Sequence, residues 1–207
     1  AEMSAKALPK RDPLEKLGNF CLQDGKVTVI EYSDMPEALA RQCNADGRLT
    51  FSAGSIAIHL LSRAFVERLT AGGRPQLPFH RAEKKVPFVD EAGTVVKPSE
   101  PNAVKLEMFV FDAMPLASAC VILETVRSEE FSPIKNADGL DSPATCLRDQ
   151  VRRAADWLEA AGVTIPRDAA GEVATAIEIS PLLADSADAL AGAIDPASLN
   201  LEPGQNL

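Results

Sequence analysis

The stretch "EEFSPIKNADG", residues 129–139, sets one lysine, Lys135, between a proline and a glycine. A compact ammonium on a flexible stem suits a phosphate whose charge shifts during a reaction. Pro133 disfavours helix at Ser132, and "NADG" supplies the residues with which a chain reverses. Lys135 is therefore expected on a constrained loop after an apolar strand, where open α/β sheets bind ligands. Generic catalytic signatures are missing from the sequence: it contains no G-x-S-x-G, no P-loop and no H-E-x-x-H. His59 and His80 stand in strand-like or turn-like context and are expected to be structural. Cys21, Cys43, Cys120 and Cys146 are too scattered for a C-x-x-C pair or a zinc site, and are expected to be reduced, mostly buried thiols.

Composition bounds the partners. With 207 residues and 46% hydrophobic side chains, the chain suits one domain, or one with a small appendage. A net charge of −9 argues against nucleic acid or an anionic membrane. From Gly162 onward Arg167 is the single basic residue against seven acidic ones, so the acidity gathers in the tail. No apolar run has the length of a membrane span. The opening "AEMSAKALPKRDPLEK" is too polar for a signal peptide and lacks an initiating methionine. A cytoplasmic protein, cut or processed at its front, is the expectation.

The elements that must carry Lys135 alternate between strand and helix, the mark of an α/β layer architecture. "GNFCLQDGKVTVIEYS" predicts a β-hairpin with a type I′ turn at Asp24-Gly25. "MPEALARQ" predicts a short helix, "RLTFSAGSIAIHLL" a β-rich run broken by Gly54, and "SRAFVERLTAG" a helix ending near Gly72-Gly73. "KKVPFVDEAGTVVKP" predicts two short strands around a turn, "NAVKLEMFVFDAMPLA" a helix, and "ACVILETV" a buried strand. In "DSPATCLRDQVRRAADWLEAAG", Ser142 is a good N-cap, Pro143 suits the first helical position and Gly162 ends the helix. Its apolar stripe is Leu147, Val151, Ala154, Leu158 and Ala161. "AIEISPLLADSADALAGAI" predicts a strand, a turn at Pro181 and a short helix, and "DPASLNLEPGQNL" a loose end.

Three long stretches, "VTVIEYSDMPEALARQCNADGRLTFSAGSIAIHLL", "FHRAEKKVPFVDEAGTVVKPSEPNAVKLEMFVFD" and "EEFSPIKNADGLDSPAT", together resemble the UDP-N-acetylhexosamine pyrophosphorylases. These are uridylyltransferases related to UDP-glucose pyrophosphorylase. The resemblance runs in order from about Ala5 to Thr145 and resumes weakly at "IEISPLL". It implies part of a Rossmann-like (GT-A-like) mixed-sheet nucleotidyltransferase domain plus a small C-terminal α/β segment. The expected division is residues 1–140, the sugar-binding side of the catalytic domain, and 141–207, a small helical/β domain with an acidic tail. The implied reaction joins UTP and a sugar 1-phosphate, giving UDP-sugar and pyrophosphate, with Mg²⁺. Such chemistry is mostly positioning and charge stabilisation.

Residue by residue, the resemblance gives Lys135 contact with the phosphates and Glu31 hydrogen bonds to sugar hydroxyls. Gly54 and Ser55 match an "AGN" turn in which Ser55 replaces a sugar-binding asparagine. Phe109 and Phe111 match aromatics that wall the sugar pocket, and Lys105 is a candidate for added positive potential nearby. After Pro143 the sequence reads "ATCLR", with Leu147 where the family pattern has arginine unless Arg148 is shifted into that place, and neither is expected to be functional. The family's glycine-rich UTP loop and its magnesium-binding aspartate belong upstream of the matching region. The resemblance thus implies the C-terminal half of an enzyme, inactive by itself, with Mg²⁺ held mainly by the other half. Two readings stay open: part of a uridylyltransferase, and a stand-alone sugar-phosphate-binding or regulatory module derived from that fold. N-acetylglucosamine 1-phosphate, glucose 1-phosphate and galactose 1-phosphate all remain candidate substrates.

Overall fold

The computed structural model describes residues 1–74 and 76–204. They form two compact units, Ala1–Thr125 and Val126–Leu207, dividing at 125/126. The expected 140/141 division remains an expectation about functional domains.

The first unit is built on a five-stranded mixed sheet. Along the chain come β1 (Met3–Pro9), β2 (Gly18–Gln23), β3 (Lys26–Ile30), α1 (Glu37–Ala40), β4 (Ala53–Leu61) and α2 (Arg63–Thr70). They are followed by β5 (His80–Lys84), β6 (Phe88–Val89), β7 (Val95–Val96), β8 (Ala103–Glu107), a 3-10 segment Val110–Leu116 and β9 (Cys120–Glu124). The sheet order is β3-β2-β4-β1-β9, with β1 and β9 parallel and the other pairs antiparallel. Strands β5 and β8 form a separate two-stranded ladder, as do β6 and β7. The chain is α/β with a mixed sheet, as the sequence implies.

Alternation along the strands sends Met3, Ala5, Ala7, Phe20 and Val29 to one face. There they pack under Phe65 and Leu69 of α2 and under Phe111, Ala113 and Met114 of the 3-10 segment. The β2–β3 turn has φ of 51° at Asp24 and 73° at Gly25, as a type I′ turn requires. Ser62 caps α2, its side chain accepting from Phe65 N–H.

Several expectations change. Gly54 does not interrupt β4. The irregularity falls at Ala57, which has φ of 61°, where the β1–β4 pairing slips between Ala5 and Ala7. Residues 103–107 are strand rather than helix, because Val104 and Leu106 alternate with Lys105 and Glu107 and β5 pairs along them. Only 110–116 coils, as a 3-10 segment containing Pro115. Among the described residues β9 is an edge strand and not a buried one. Val121 and Leu123 are 53% and 59% exposed on the sheet's reverse face. The four cysteines are free, and none is buried: Cys43 is exposed and the others are half-buried.

The second unit holds α3 (Arg127–Glu130), α4 (Pro143–Ala160) and α5 (Ala187–Ala193). Ser142 forms a capping box with Thr145 at the start of α4, with Pro143 in the first turn. At its end Gly162 N–H donates to Glu159 O and Val163 N–H to Leu158 O, a Schellman closure. The buried face is Ala154, Ala155, Trp157 and Leu158, rotated from the expected stripe, and Leu147 is exposed. These residues pack on Val163, Ile165, Ile177, Ala184 and Leu190. Residues 176–180 form no named strand, whereas α5 appears where a helix is expected. The tail to Gly204 is not wholly loose, since Leu199 and Leu201 pack against this second core. Its last three residues, 205–207, lie outside the described residues.

Candidate functional site

The sheet brings three of the expected positions to the β3-β2-β4 end. Asn19 pairs with Ile30 across the hairpin, while Gly18 pairs with Ser55 and Asn19 with Gly54. Glu31, directly after Ile30, therefore stands beside Gly18, with Ser55 on the other side. A Cβ on Gly18 would lie 2.6 Å from Val29 Cγ1, 3.3 Å from a Glu31 carboxylate oxygen and 3.6 Å from Ser55 Cβ. The missing side chain of Gly18 lets Val29 pack closely over it, with the Glu31 carboxylate and Ser55 near the same point. Ser55 is buried, and its Oγ accepts from Ala57 N–H at 3.4 Å. Glu31 is half-buried, and the Asp34 and Met35 N–H groups donate to its backbone carbonyl. A carboxylate accepts from two neighbouring hydroxyls and a serine hydroxyl both donates and accepts. Such a row suits a polyhydroxylated ring.

The aromatics lie on the covering layer of the same core. Phe109 and Phe111 stack with centroids 4.9 Å apart and 16° between planes. Phe111 is only 9% exposed and belongs to the core, while Phe109 is partly buried at its margin. Neither is on an α-helix. His80 on β5 tilts against Phe109 at 4.9 Å, and its Nε2 lies 2.7 Å from Asp112 Oδ2. Lys105 on β8 pairs with Glu107 at 2.7 Å, which offsets its charge.

Gly54 faces the other way. A Cβ there would come within 2.8 Å of Leu17 Cδ1, 3.2 Å of Lys10 Cγ and 3.3 Å of Leu8 O. Its role in the structure is to let Leu17 and the Lys10 stem pack behind the row. Lys10 is 9% exposed, and burial lowers the pKa of its ammonium, an effect that Glu15 and Asp12 oppose. Beside it lies a cavity of about 220 Å³ lined by Lys10, Asn19, Tyr32 and Met35, among others. Gly18, Lys10 and Asn19 are the residues that sequence reasoning missed. The signal for Gly18 was a glycine opening a strand in "KLGNF". The Lys10–Asn19 contact crosses strands and leaves no local trace.

Lys135 belongs to the second unit and is exposed there. Its loop closes on itself: the Lys135 and Asn136 N–H groups donate to Asp141 O at 2.6 and 3.0 Å, and Asn136 Nδ2 donates to Leu140 O at 2.7 Å. Gly139 and Asp141 have φ of 70° and 53°. The loop is constrained by backbone bonding as well as by Pro133. Among the described residues no three His, Cys, Asp or Glu side chains gather as metal ligands. By themselves these residues do not fit a magnesium ion. No helix of the described residues is long and apolar enough to cross a membrane.

Comparison with known proteins bears on this arrangement. No family model matches the chain. It is 39% identical over 204 residues to UDP-N-acetylhexosamine pyrophosphorylase-like protein 1 of Mus musculus, covering 92% of this chain and 40% of that protein. Among solved structures, a UDP-N-acetylglucosamine pyrophosphorylase from Entamoeba histolytica superposes with a TM-score of 0.77 at 33% identity, covering 93% of this chain and 47% of that one. The Trypanosoma brucei uridine diphosphate N-acetylglucosamine pyrophosphorylase, solved with an inhibitor, gives 0.71 at 28% identity, covering 93% and 39%. The chain spans 33 to 40% of the length of the first curated relatives it matches.

Proposed function

Because the chain belongs to the UDP-N-acetylhexosamine pyrophosphorylases over the part of them that it spans, we propose that it supplies the sugar side of a uridylyltransferase. The protein at the full length its gene encodes converts UTP and a sugar 1-phosphate to UDP-sugar and pyrophosphate. The observation that carries this reading is the row Glu31–Gly18–Ser55, where a Cβ on Gly18 would meet both a Glu31 carboxylate oxygen and Ser55. Glu31 accepts from ring hydroxyls, Ser55 contacts the ring or its N-acetyl group, and Phe109 and Phe111 form the apolar wall. Gly54 keeps the row's rear open for packing, and Lys105 adds a screened positive charge. Lys135 stabilises the phosphoryl charge as the sugar phosphate attacks the α-phosphate of UTP and pyrophosphate leaves. A divalent metal, Mg²⁺, is held mainly by residues outside this chain. The partners are UTP or UDP-sugar and sugar 1-phosphate, with no nucleic acid or membrane, and the setting is the cytoplasm.

The test is pyrophosphate release by that full-length protein from UTP with N-acetylglucosamine, glucose or galactose 1-phosphate. Turnover is expected, with N-acetylglucosamine 1-phosphate preferred. Lys135→Ala is expected to reduce turnover by about 10²–10³-fold with the melting temperature unchanged, as for a group that acts most strongly in the transition state. Near-normal turnover in Lys135→Ala removes the lysine from the mechanism. Sugar-phosphate binding without any turnover by the wild type supports a binding module instead.

A further inference from the structure

Behind the Glu31–Gly18–Ser55 row lies a buried polar relay. Lys10 Nζ donates to Asn19 Oδ1 at 2.7 Å and to the Pro13 carbonyl at 2.8 Å. Asn19 Nδ2 donates in turn to the Leu17 carbonyl at 3.3 Å and to the Ile30 carbonyl at 3.1 Å. Leu17 immediately precedes Gly18, and Ile30 immediately precedes Glu31. One side chain, 1% exposed, thus grips the backbone just ahead of two members of the row. The third member is close by, because the Lys10 stem packs on Gly54, the neighbour of Ser55. The grip is placed where the ladder is short: β2 and β4 pair only at Gly18–Ser55 and Asn19–Gly54.

The residue types suit a device that sets geometry. An ammonium has donors and no acceptor. Facing Lys10, the Asn19 amide must present Oδ1 to it, which leaves Nδ2 for the two carbonyls. Without Lys10 the amide loses the contact that fixes which way round it sits. Burying an ammonium is costly, and its lowered pKa reports that cost. A site chosen for stability alone would be better filled by apolar side chains.

We propose that Lys10 and Asn19 are positioning residues for the sugar 1-phosphate: acting through the backbone, they set the spacing of Glu31, Gly18 and Ser55. This inference rests on the proposed function. The deciding variant is Asn19→Asp. It keeps an acceptor for Lys10, and strengthens that contact as an ion pair, but presents oxygen to the Leu17 and Ile30 carbonyls. Lys10→Met is the companion change. In the full-length protein, Asn19→Asp is expected to raise KM for N-acetylglucosamine 1-phosphate by about tenfold, the signature of weakened binding. KM for UTP should stay within about twofold of wild type. Amide exchange at residues 17–19 and 30–31 should quicken. A wild-type sugar KM in Asn19→Asp, or an equal rise in both KM values, overturns the inference. If Lys10→Met fails to fold, Asn19→Asp still decides. A wild type that turns over no sugar 1-phosphate overturns the proposed function and this inference with it. A wild type that turns over, with an unselective Asn19→Asp, overturns this inference alone.

Discussion

Phe109 and Phe111 sit two residues apart and stack, yet they do different physical work. Phe111 is buried among Phe20, Val29, Phe65 and Met114, so truncation leaves a hole in a close-packed layer. Phe109 lies at that layer's margin, against His80, and is the aromatic with surface left to meet a ligand. Phe111→Ala is therefore expected to lower stability by about 3–5 kcal/mol, and Phe109→Ala by clearly less, in urea denaturation followed by circular dichroism. Equal losses would mean that Phe109 is core as well. Sequence alone placed both residues and could not separate them, because apolar character is the same on either side of a core boundary. Glu31 and Ser55 were legible one at a time through the family pattern. Their meeting at Gly18 depends on the pairing of three strands, which no local window contains.

Local chemistry was legible in the hairpin turn and the helix cap. The Asp24-Gly25 hairpin and the Ser142-led start of α4 both follow from residues within a few positions of one another. The longest misread element is 102–117, where helix-forming residues such as Lys105, Leu106 and Glu107 are drawn into a ladder by β5, a partner far away in sequence. Burial of β9 was misread for a similar reason: an apolar strand has the same composition at an edge as in a centre. The cap of α4 also bears on the proposed phosphate lysine. Ser142 Oγ accepts from Thr145 N–H at 3.4 Å and donates to the Gly139 carbonyl at 2.8 Å, and so joins the helix start to the Lys135 loop. Ser142→Ala is expected to destabilise the second unit by about 1–2 kcal/mol. Faster amide exchange across residues 135–141 should accompany the loss. A fall in stability with an unchanged loop would confine Ser142 to capping.

At the scale of the whole molecule, each unit has its own core, and in the first one carboxylate links three elements. Glu2 Oε2 accepts from Ser118 N–H at 2.7 Å and from Arg68 Nη2 at 2.7 Å, joining the start of β1 to α2 and to the approach to β9. The Ser118 N–H is the main cause of its lowered pKa, which burial opposes and the Ser118 side chain and Arg68 reinforce. A depressed acid stabilises the fold above its unfolded pKa, and that contribution is lost as pH falls through the lower folded value. Wild type should lose stability on acidification below the ordinary glutamate range, and Glu2→Gln should lose less over the same interval, read as urea midpoints along a pH series. Parallel curves would show that Glu2 contributes nothing titratable. The parallel pairing of β1 with β9 has a consequence for biogenesis. Strand β1 precedes the other strands of this sheet in the chain but lies inside it, between β4 and β9. During translation it must wait for Cys120–Glu124 to leave the ribosome before its second neighbour exists. Long-range pairing of this kind is slow, since the chain must close a large loop before the contact rewards it. The nascent first unit therefore carries an open flank along "MSAKALP" through most of its synthesis, and that flank is where a chaperone would find it.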